Sequence, residues 1–265
     1  MQRPPVVHLV GAGPGDPELL TLKAYRLLQQ ADVVVHDRLV GSGVLALIPP
    51  QVRRIDVGKA PGAHRLAQEE INALLAERAR AGEVVVRLKG GDPFLFGRGG
   101  EEALYLLERG IHVEVVPGIT AAFACAARNR VPLTHRGIAS GVRFVTGHRC
   151  GRWWQDLDWE GLADPATTLV VYMGLADVEK VTARLREAGL DPLTPVLAVE
   201  NGTLPEERTV ESTLHRIAPA VRRARLRAPV LFIIGEVVRV LRDLAPARPP
   251  AVAAAGHWIE RVLHA

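Results

Sequence analysis

The sequence predicts an α/β protein, with mainly parallel sheet and helices on both faces. Three observations predict it. Short valine-rich runs alternate with stretches of helical periodicity along most of the chain, the pattern of βαβ units. Most of the apolar runs end in glycine-rich or charged turns, where open α/β sheets bind ligands. The chain has 265 residues, 48% of them hydrophobic. That exceeds what one compact core usually needs, so one large or two smaller domains are expected.

Taken in order, residues 6–10 form a short strand that runs into Gly11-Ala12-Gly13-Pro14-Gly15-Asp16-Pro17. Asp16 stands where a dinucleotide fingerprint needs its last glycine, and the Gly-Lys-Ser/Thr ending of a phosphate-binding P-loop is absent. Asp16-Pro17 reads instead as an N-cap followed by proline at the first helical position. Leu20, Ala24, Leu27 and Leu28 then recur at helical spacing. Residues 33–35 are the next strand, ending at His36-Asp37-Arg38, and 52–57 another, ending at Gly58-Lys59. Residues 68–81 form an amphipathic helix with Ile71, Leu74 and Leu75 inward. A buried strand at 84–88 leads into the loop 89–100, with five glycines between 90 and 100. A helix at 101–109 and a strand at 113–116 complete the first half.

Residues 121–128 form a small-residue helix that bridges two domains, and 129–141 is a polar, turn-rich boundary. Strands are expected at 142–146, 168–172, 195–199 and 230–234. Helices are expected at 178–188, stopped by Gly189, and at 210–223. Trp153, Trp154 and Trp159 cluster in an insert expected on the surface. Residues 246–255 are rich in Pro and Ala and read as a flexible tail, with a short helix possible at 258–263. The division is therefore 1–120, 121–243 and a tail at 244–265.

Composition narrows the functional class. Cys125 and Cys150 are the two cysteines, too few for a disulfide framework or a cysteine metal cluster. No apolar run reaches membrane-spanning length, and the N-terminus lacks a signal-peptide pattern, so a soluble, cytoplasmic protein without a membrane partner is expected. There is no long basic tract, and Phe, Trp and Tyr make up 5%, which argues against nucleic acid. The net charge is +4, and lysine occurs only at 23, 59, 89 and 180, so arginine carries most of the basic charge. Codon bias or heat adaptation accounts for arginine excess in general. The functional alternative is an anionic ligand, because guanidinium grips carboxylates and phosphates bidentately.

The loop Lys89-Gly90-Gly91-Asp92-Pro93 is the strongest local signal. Glycine lets a ligand approach main-chain groups closely, and Asp92 adds a carboxylate. The plainer reading is a tight turn with Asp92 as its cap. With this loop come Asp37-Arg38-Leu39-Val40, Val57-Gly58-Lys59, Val115-Val116-Pro117-Gly118-Ile119-Thr120, Pro132-Leu133-Thr134-His135-Arg136, Val145-Thr146-Gly147-His148 and Tyr172-Met173-Gly174. On these motifs, in this order over residues 5–243, the chain resembles the tetrapyrrole methylases. The run from Arg87 to Glu102 is the most diagnostic for the branch that acts on uroporphyrinogen III.

The resemblance implies two α/β domains with S-adenosyl-L-methionine in the cleft between them, and a homodimer. It implies two successive methyl transfers to ring carbons of uroporphyrinogen III, giving precorrin-2 on the route to sirohaem and cobalamin, with no metal required. Carried over by motif, the cofactor contacts are Pro14, Gly90, Gly91, Asp92, Leu95, Thr120, Ala121, Met173, Gly202 and Val230. Asp37, Lys59 and Met173 fall where the family's reaction-site residues lie. Because this substrate bears many carboxylates, Arg38, Lys59, Arg98, Arg128, Arg130 and Arg136 are candidate anchors. His135 and His148 read as loop hydrogen-bonding residues. His36 stands where the family leads one to expect tyrosine, and residues beyond 243 lie outside the resemblance. The alternatives are a methylase of the same fold acting on a later corrin precursor, diphthine or ribosomal RNA, an NAD-binding oxidoreductase, and a non-catalytic tetrapyrrole-binding protein.

Overall fold

A computed structural model describes residues 4–58, 67–147 and 157–241. Lys59, Cys150, His148, Trp153, Trp154 and the expected tail lie outside the described residues. Two five-stranded sheets organise the rest.

The first sheet contains β1 (Val6–Gly11), β2 (Val33–His36), β3 (Arg53–Asp56), β4 (Val85–Lys89) and β5 (His112–Val116). Its order is β3-β2-β4-β1-β5, and every neighbouring pair is parallel. Helices α1 (Leu22–Gln30) and α2 (Ser42–Ala46) cover one face, packing Ala24, Leu28 and Val44, with Ile48 just beyond α2, on Val10, Val34, Val86 and Leu88. Helices α3 (Gln68–Arg80) and α4 (Gly99–Leu107) cover the other, packing Ile71, Leu75 and Leu106 on Val7, Leu9, Val33, Val35 and Val85. Adjacent strands β1 and β4 thus send their following helices to opposite faces. A doubly wound sheet opens a crevice at such a point, outside the carboxyl ends of its strands.

The second sheet contains β6 (Gly141–Thr146), β7 (Thr167–Tyr172), β8 (Pro195–Glu200), β9 (Arg208–Thr213) and β10 (Val230–Ile234), in the order β6-β7-β10-β8-β9. Helix α5 (Ala121–Arg128) covers one face, packing Ala122, Cys125 and Ala126 on Val170, Leu197, Val199, Leu231 and Ile233. Helices α6 (Trp159–Leu162), α7 (Val178–Glu187) and α8 (Ile217–Arg223) cover the other, around Val196, Ala198 and Phe232. Among the described residues, no helix is long and apolar enough to cross a membrane.

Three expectations need correction. The mainly parallel reading holds for the first sheet only: in the second, β6 and β7 are parallel, while β10 runs antiparallel to β7 and β8, and β8 to β9. The connection between β8 and β9 is too short for a crossover, so the two strands form a hairpin. The helix expected over 210–223 is in fact β9 followed by α8. Arg208-Thr209-Val210-Glu211-Ser212-Thr213 pairs along Pro195–Glu200, and its β-branched residues favour the pleated surface. Trp159 is half-buried and packs against the second core, while its expected partners Trp153 and Trp154 lie outside the described residues. Asp16 does act as a cap, but of a single 3-10 turn at Pro17–Leu19, and Thr21 caps α1 separately.

Candidate active site

The crevice of the first sheet is built by backbone approaching backbone. Gly13 and Gly91 exchange two hydrogen bonds, of 2.7 and 3.2 Å, joining the loop after β1 to the loop after β4. A Cβ on Gly11 would stand 2.5 Å from the amide nitrogen of Gly118 and 2.7 Å from the carbonyl of Gly91. Only hydrogen fits there, so glycine is required at Gly11 for the loops after β1, β4 and β5 to meet. Asp92 fastens the same junction: one carboxylate oxygen accepts from the Phe94 amide at 2.9 Å and the other from the Gly118 amide at 3.1 Å. Its capping role is therefore the one that the geometry displays. The loop after β2 joins this layer, with Leu39 against Gly90 and Arg38 against Gly58 at the end of β3.

A charged cluster lies beside the glycine junction. Strand alternation sends Val33, Val35 and Asp37 to one face, and Val85, Arg87 and Lys89 to the same face. The register pairs Val35 with Arg87, so Asp37 comes next to both basic residues. Asp37 Oδ1 accepts from Arg87 Nη2 at 2.5 Å, and Lys89 Nζ stands 3.8 Å from Oδ2. Below them Glu102 Oε1 accepts from Arg87 Nε at 3.1 Å and from Lys89 Nζ and Gln68 Nε2 at 3.0 Å each. Side-chain exposure falls from 32% at Asp37 to 2% at Arg87 and 0% at Glu102. Burial, and then the Arg87 charge, pull the Lys89 ammonium below the usual lysine range; Glu102 and Asp37 pull the other way.

The second half closes over this layer at two points. The Tyr172 hydroxyl at the end of β7 lies 2.6 Å from Thr120 Oγ1 and accepts from the Ala122 amide at 3.0 Å. It thereby caps the start of α5, and burial pushes its phenol upward in pKa. Its ring sits 5.1 Å from that of Phe96 in the loop after β4. At the second point, Thr203 Oγ1 accepts from the Asp16 amide at 3.1 Å, and Leu204 packs on Gly15. Phe96, Arg98, Met173, Asn201 and Thr203 all adopt positive φ in these loops. Such backbone is costly for non-glycine residues and clusters at functional sites.

Most of the expected residues are thus brought together. Pro14, Gly90, Gly91, Asp92 and Leu95 lie in the loops of the first sheet, and Thr120 and Ala121 where α5 begins. Met173 is half exposed beyond β7. Gly202 follows β8, with its α-carbon against the Cys125 thiol, which burial pushes up to about 12. Val230 joins the group because β10 is antiparallel: its first residue pairs with Glu200, the last of β8. Among the candidate anchors, Arg38 and Arg98 are exposed on the loops after β2 and β4. Arg98 forms a hydrogen-bonded pair with Glu101. Arg128 is partly exposed and paired, 3.0 Å from the buried Glu207 carboxylate, which also accepts from the Thr203 amide. Arg130 and Arg136 lie on the connection between α5 and β6. His36 is buried, with Nδ1 3.4 Å from the Asp37 carbonyl oxygen. His135 Nδ1 stands 3.0 Å from the Arg136 carbonyl oxygen. Among the described residues, no group of three or more His, Cys, Asp or Glu side chains is placed to hold a metal ion.

Sequence reasoning did not assign Arg87, Glu102, Tyr172 or Thr203. Arg87 had a signal: a charge inside Val84-Val85-Val86-Arg87-Leu88 must be paired if the strand is buried. Thr203 had none, because the latch to Asp16 spans 187 residues.

Residues 6–218 match the family of Tetrapyrrole (Corrin/Porphyrin) Methylases. The chain is 56% identical over 239 residues to the uroporphyrinogen-III C-methyltransferase of Paracoccus denitrificans, covering 90% of this chain and 83% of that protein. It is 53% identical over 240 residues to the siroheme synthase of Azotobacter vinelandii, of which it spans 51%. A crystal structure of uroporphyrin-III C-methyl transferase from Thermus thermophilus, complexed with S-adenyl homocysteine, superposes with a TM-score of 0.76 at 49% identity. That alignment covers 88% of this chain and 99% of the Thermus chain.

Two substitutions test the assembly. Gly11→Ala forces backbone apart at the three-loop junction, and overpacking of this kind costs about 1–3 kcal/mol. Tyr172→Phe leaves the buried Ala122 amide without its acceptor, a loss of about 1–3 kcal/mol. Both show as lower midpoints in denaturant unfolding. An unchanged midpoint for Gly11→Ala would mean that the loops do not meet as described.

Proposed function

The chain belongs to the tetrapyrrole methylases, and from that premise we propose that it methylates uroporphyrinogen III twice, giving precorrin-2. S-adenosyl-L-methionine is the methyl donor and S-adenosyl-L-homocysteine the product. The observation that carries the reading is the 56% identity to a uroporphyrinogen-III C-methyltransferase along 83% of its length. Resemblance to siroheme synthases supports a place before sirohaem. An oxidoreductase binding NAD is not favoured, since Asp16 replaces the last glycine of that fingerprint.

The residues present suit the donor. Gly91 has φ +68°, and the nearest atom to where its Cβ would stand is Thr120 Cα at 3.9 Å. The cradle is therefore bare main chain with room beside it, able to meet adenosine and the amino-acid end without a charged side chain. When bound, S-adenosyl-L-methionine supplies an electrophilic methyl group on a sulfonium sulfur.

In each transfer a carbon–methyl bond forms at a pyrrole ring carbon, the sulfur–methyl bond breaks, and one proton leaves the tetrapyrrole. The protein aligns nucleophile and methyl, and positioning of this kind contributes up to about 7–11 kcal/mol. Asp37 accepts hydrogen bonds from pyrrole N–H groups and takes part in the proton's departure. Its Oδ2 is the oxygen available for this, since Oδ1 is held by Arg87. Met173 and Lys59 complete the reaction site in this reading. Arg38, Arg98, Arg130 and Arg136 hold the substrate's carboxylates, with Arg128 contributing from its pair with Glu207. The protein works in the cytoplasm as a homodimer; Leu104 and Leu107, both exposed on α4, offer apolar surface for a second copy.

The test is anaerobic incubation with uroporphyrinogen III and labelled donor, products read by mass. Two added methyl groups per tetrapyrrole are expected, and no transfer by folded, donor-binding protein refutes the reading. Asp37→Asn should lower turnover by about 10²–10⁴-fold while S-adenosyl-L-homocysteine affinity stays unchanged; full turnover would remove Asp37 from the mechanism. Substrate affinity should fall as salt rises, because exposed arginine–carboxylate attraction is screened; a salt-independent KM counts against the arginine anchors.

A further inference from the structure

We propose that Glu102 and Arg87 are positioning residues for the reaction: Glu102 fixes Arg87 and Lys89, and Arg87 fixes the Asp37 carboxylate so that Oδ2 faces the substrate. This rests on the reading of Asp37 given above and deepens it.

The geometry runs in one direction. Glu102 is fully buried on α4, and its Oε1 alone receives three donors: Arg87 Nε, Lys89 Nζ and Gln68 Nε2. Arg87 is nearly as buried, and all three of its nitrogens are placed. Nε goes to Glu102, Nη1 lies 3.4 Å from the carbonyls of Val35 and Leu88, and Nη2 goes to Asp37. A guanidinium held on every side presents Nη2 to the Asp37 carboxylate as a single, fixed charged donor. Of the four charged side chains in the network, Arg87, Lys89 and Glu102 are buried and Asp37, at the end of β2, is a third exposed; Gln68 is half-buried on α3.

Stability alone does not account for the arrangement. Replacing a buried ion network by packed apolar side chains is often neutral or stabilising. Glu102 Oε2 finds no hydrogen-bond partner while buried, and the desolvation of Lys89 shows in its lowered pKa. The chain thus carries two buried cations and a buried anion whose one exposed charged partner is the Asp37 carboxylate. Without its Arg87 bond, Asp37 keeps only the longer ion pair of Oδ2 with Lys89 Nζ at 3.8 Å, which does not fix its terminal torsion, and either oxygen meets the substrate.

The experiment is a double-mutant cycle with uroporphyrinogen III and S-adenosyl-L-methionine, using Glu102→Gln, Arg87→Lys and Asp37→Asn alone and paired. Glu102→Gln keeps the side chain's shape and removes its charge. Each of Glu102→Gln and Arg87→Lys should lower kcat about 10- to 100-fold, the scale of a misplaced reacting group. KM and S-adenosyl-L-homocysteine affinity should stay within about 2-fold, since the loss is confined to the transition state. In the Asp37→Asn background neither should cost anything more, because the group they position is already gone. Thermal denaturation confirms folding. If Glu102→Gln does not fold, Gln68→Ala, which removes one donor from Glu102, should give a smaller kcat loss that likewise vanishes with Asp37→Asn. Losses that multiply with Asp37→Asn, or a rise in KM with kcat intact, overturn the positioning role. Full activity of Asp37→Asn itself instead overturns the reading of Asp37, so the two failures are distinguishable.

Discussion

The structure depends on the close approach of backbone at Gly11, Gly91 and Gly118. The three residues end or follow three neighbouring parallel strands, and no side chain stands between them. Main-chain hydrogen bonds between Gly13 and Gly91, and the Asp92 clasp on Gly118, can form only at this separation. A doubly wound sheet opens a crevice wherever successive helices leave by opposite faces. What this sequence adds is a floor of bare peptide to that crevice. The side chains then serve as fasteners around it.

Helix α5 transmits that floor to the second half. At its start, the Tyr172 hydroxyl meets Thr120 and Ala122. At its end, Arg128 pairs with Glu207, which accepts from the Thr203 amide, and Thr203 in turn receives the Asp16 amide. One short helix is therefore tied at both ends into contacts that cross between the sheets. The positive φ angles of Met173, Asn201 and Thr203 lie in the loops that these ties hold. Strain of this kind persists where surrounding structure over-determines it.

Much of this was legible in the sequence, for local reasons. Valine runs of strand length, and glycine and charge at their ends, place nine of the ten strands and the loop layer. Period-two alternation also explains why Asp37, Arg87 and Lys89 share a face. The strand at Arg208–Thr213 was hidden because its pairing partner, Pro195–Glu200, decides its state more than its own residues do. The antiparallel course of β10 was hidden too, since direction in a sheet is a tertiary property. Resemblance supplied Val230 as a candidate; only topology shows why the first residue of a strand sits among residues that end strands. Arg128 reads as a free surface charge until its partner Glu207, 79 positions further along, is seen.

The central position of β10 has a consequence for biosynthesis. It is the last strand among the described residues, yet it inserts between β7 and β8 in the middle of the second sheet. Non-local pairing of this kind comes late, after the chain has paid the entropy of closing long loops. During synthesis the first sheet has all its strands once residue 116 is made, and domains generally fold as units from the N-terminus. The bare-peptide floor is thus ready early, while the opposing wall waits for residue 234. A nascent or truncated chain holds half a cleft, and only a molecule completed through its last core strand has both walls.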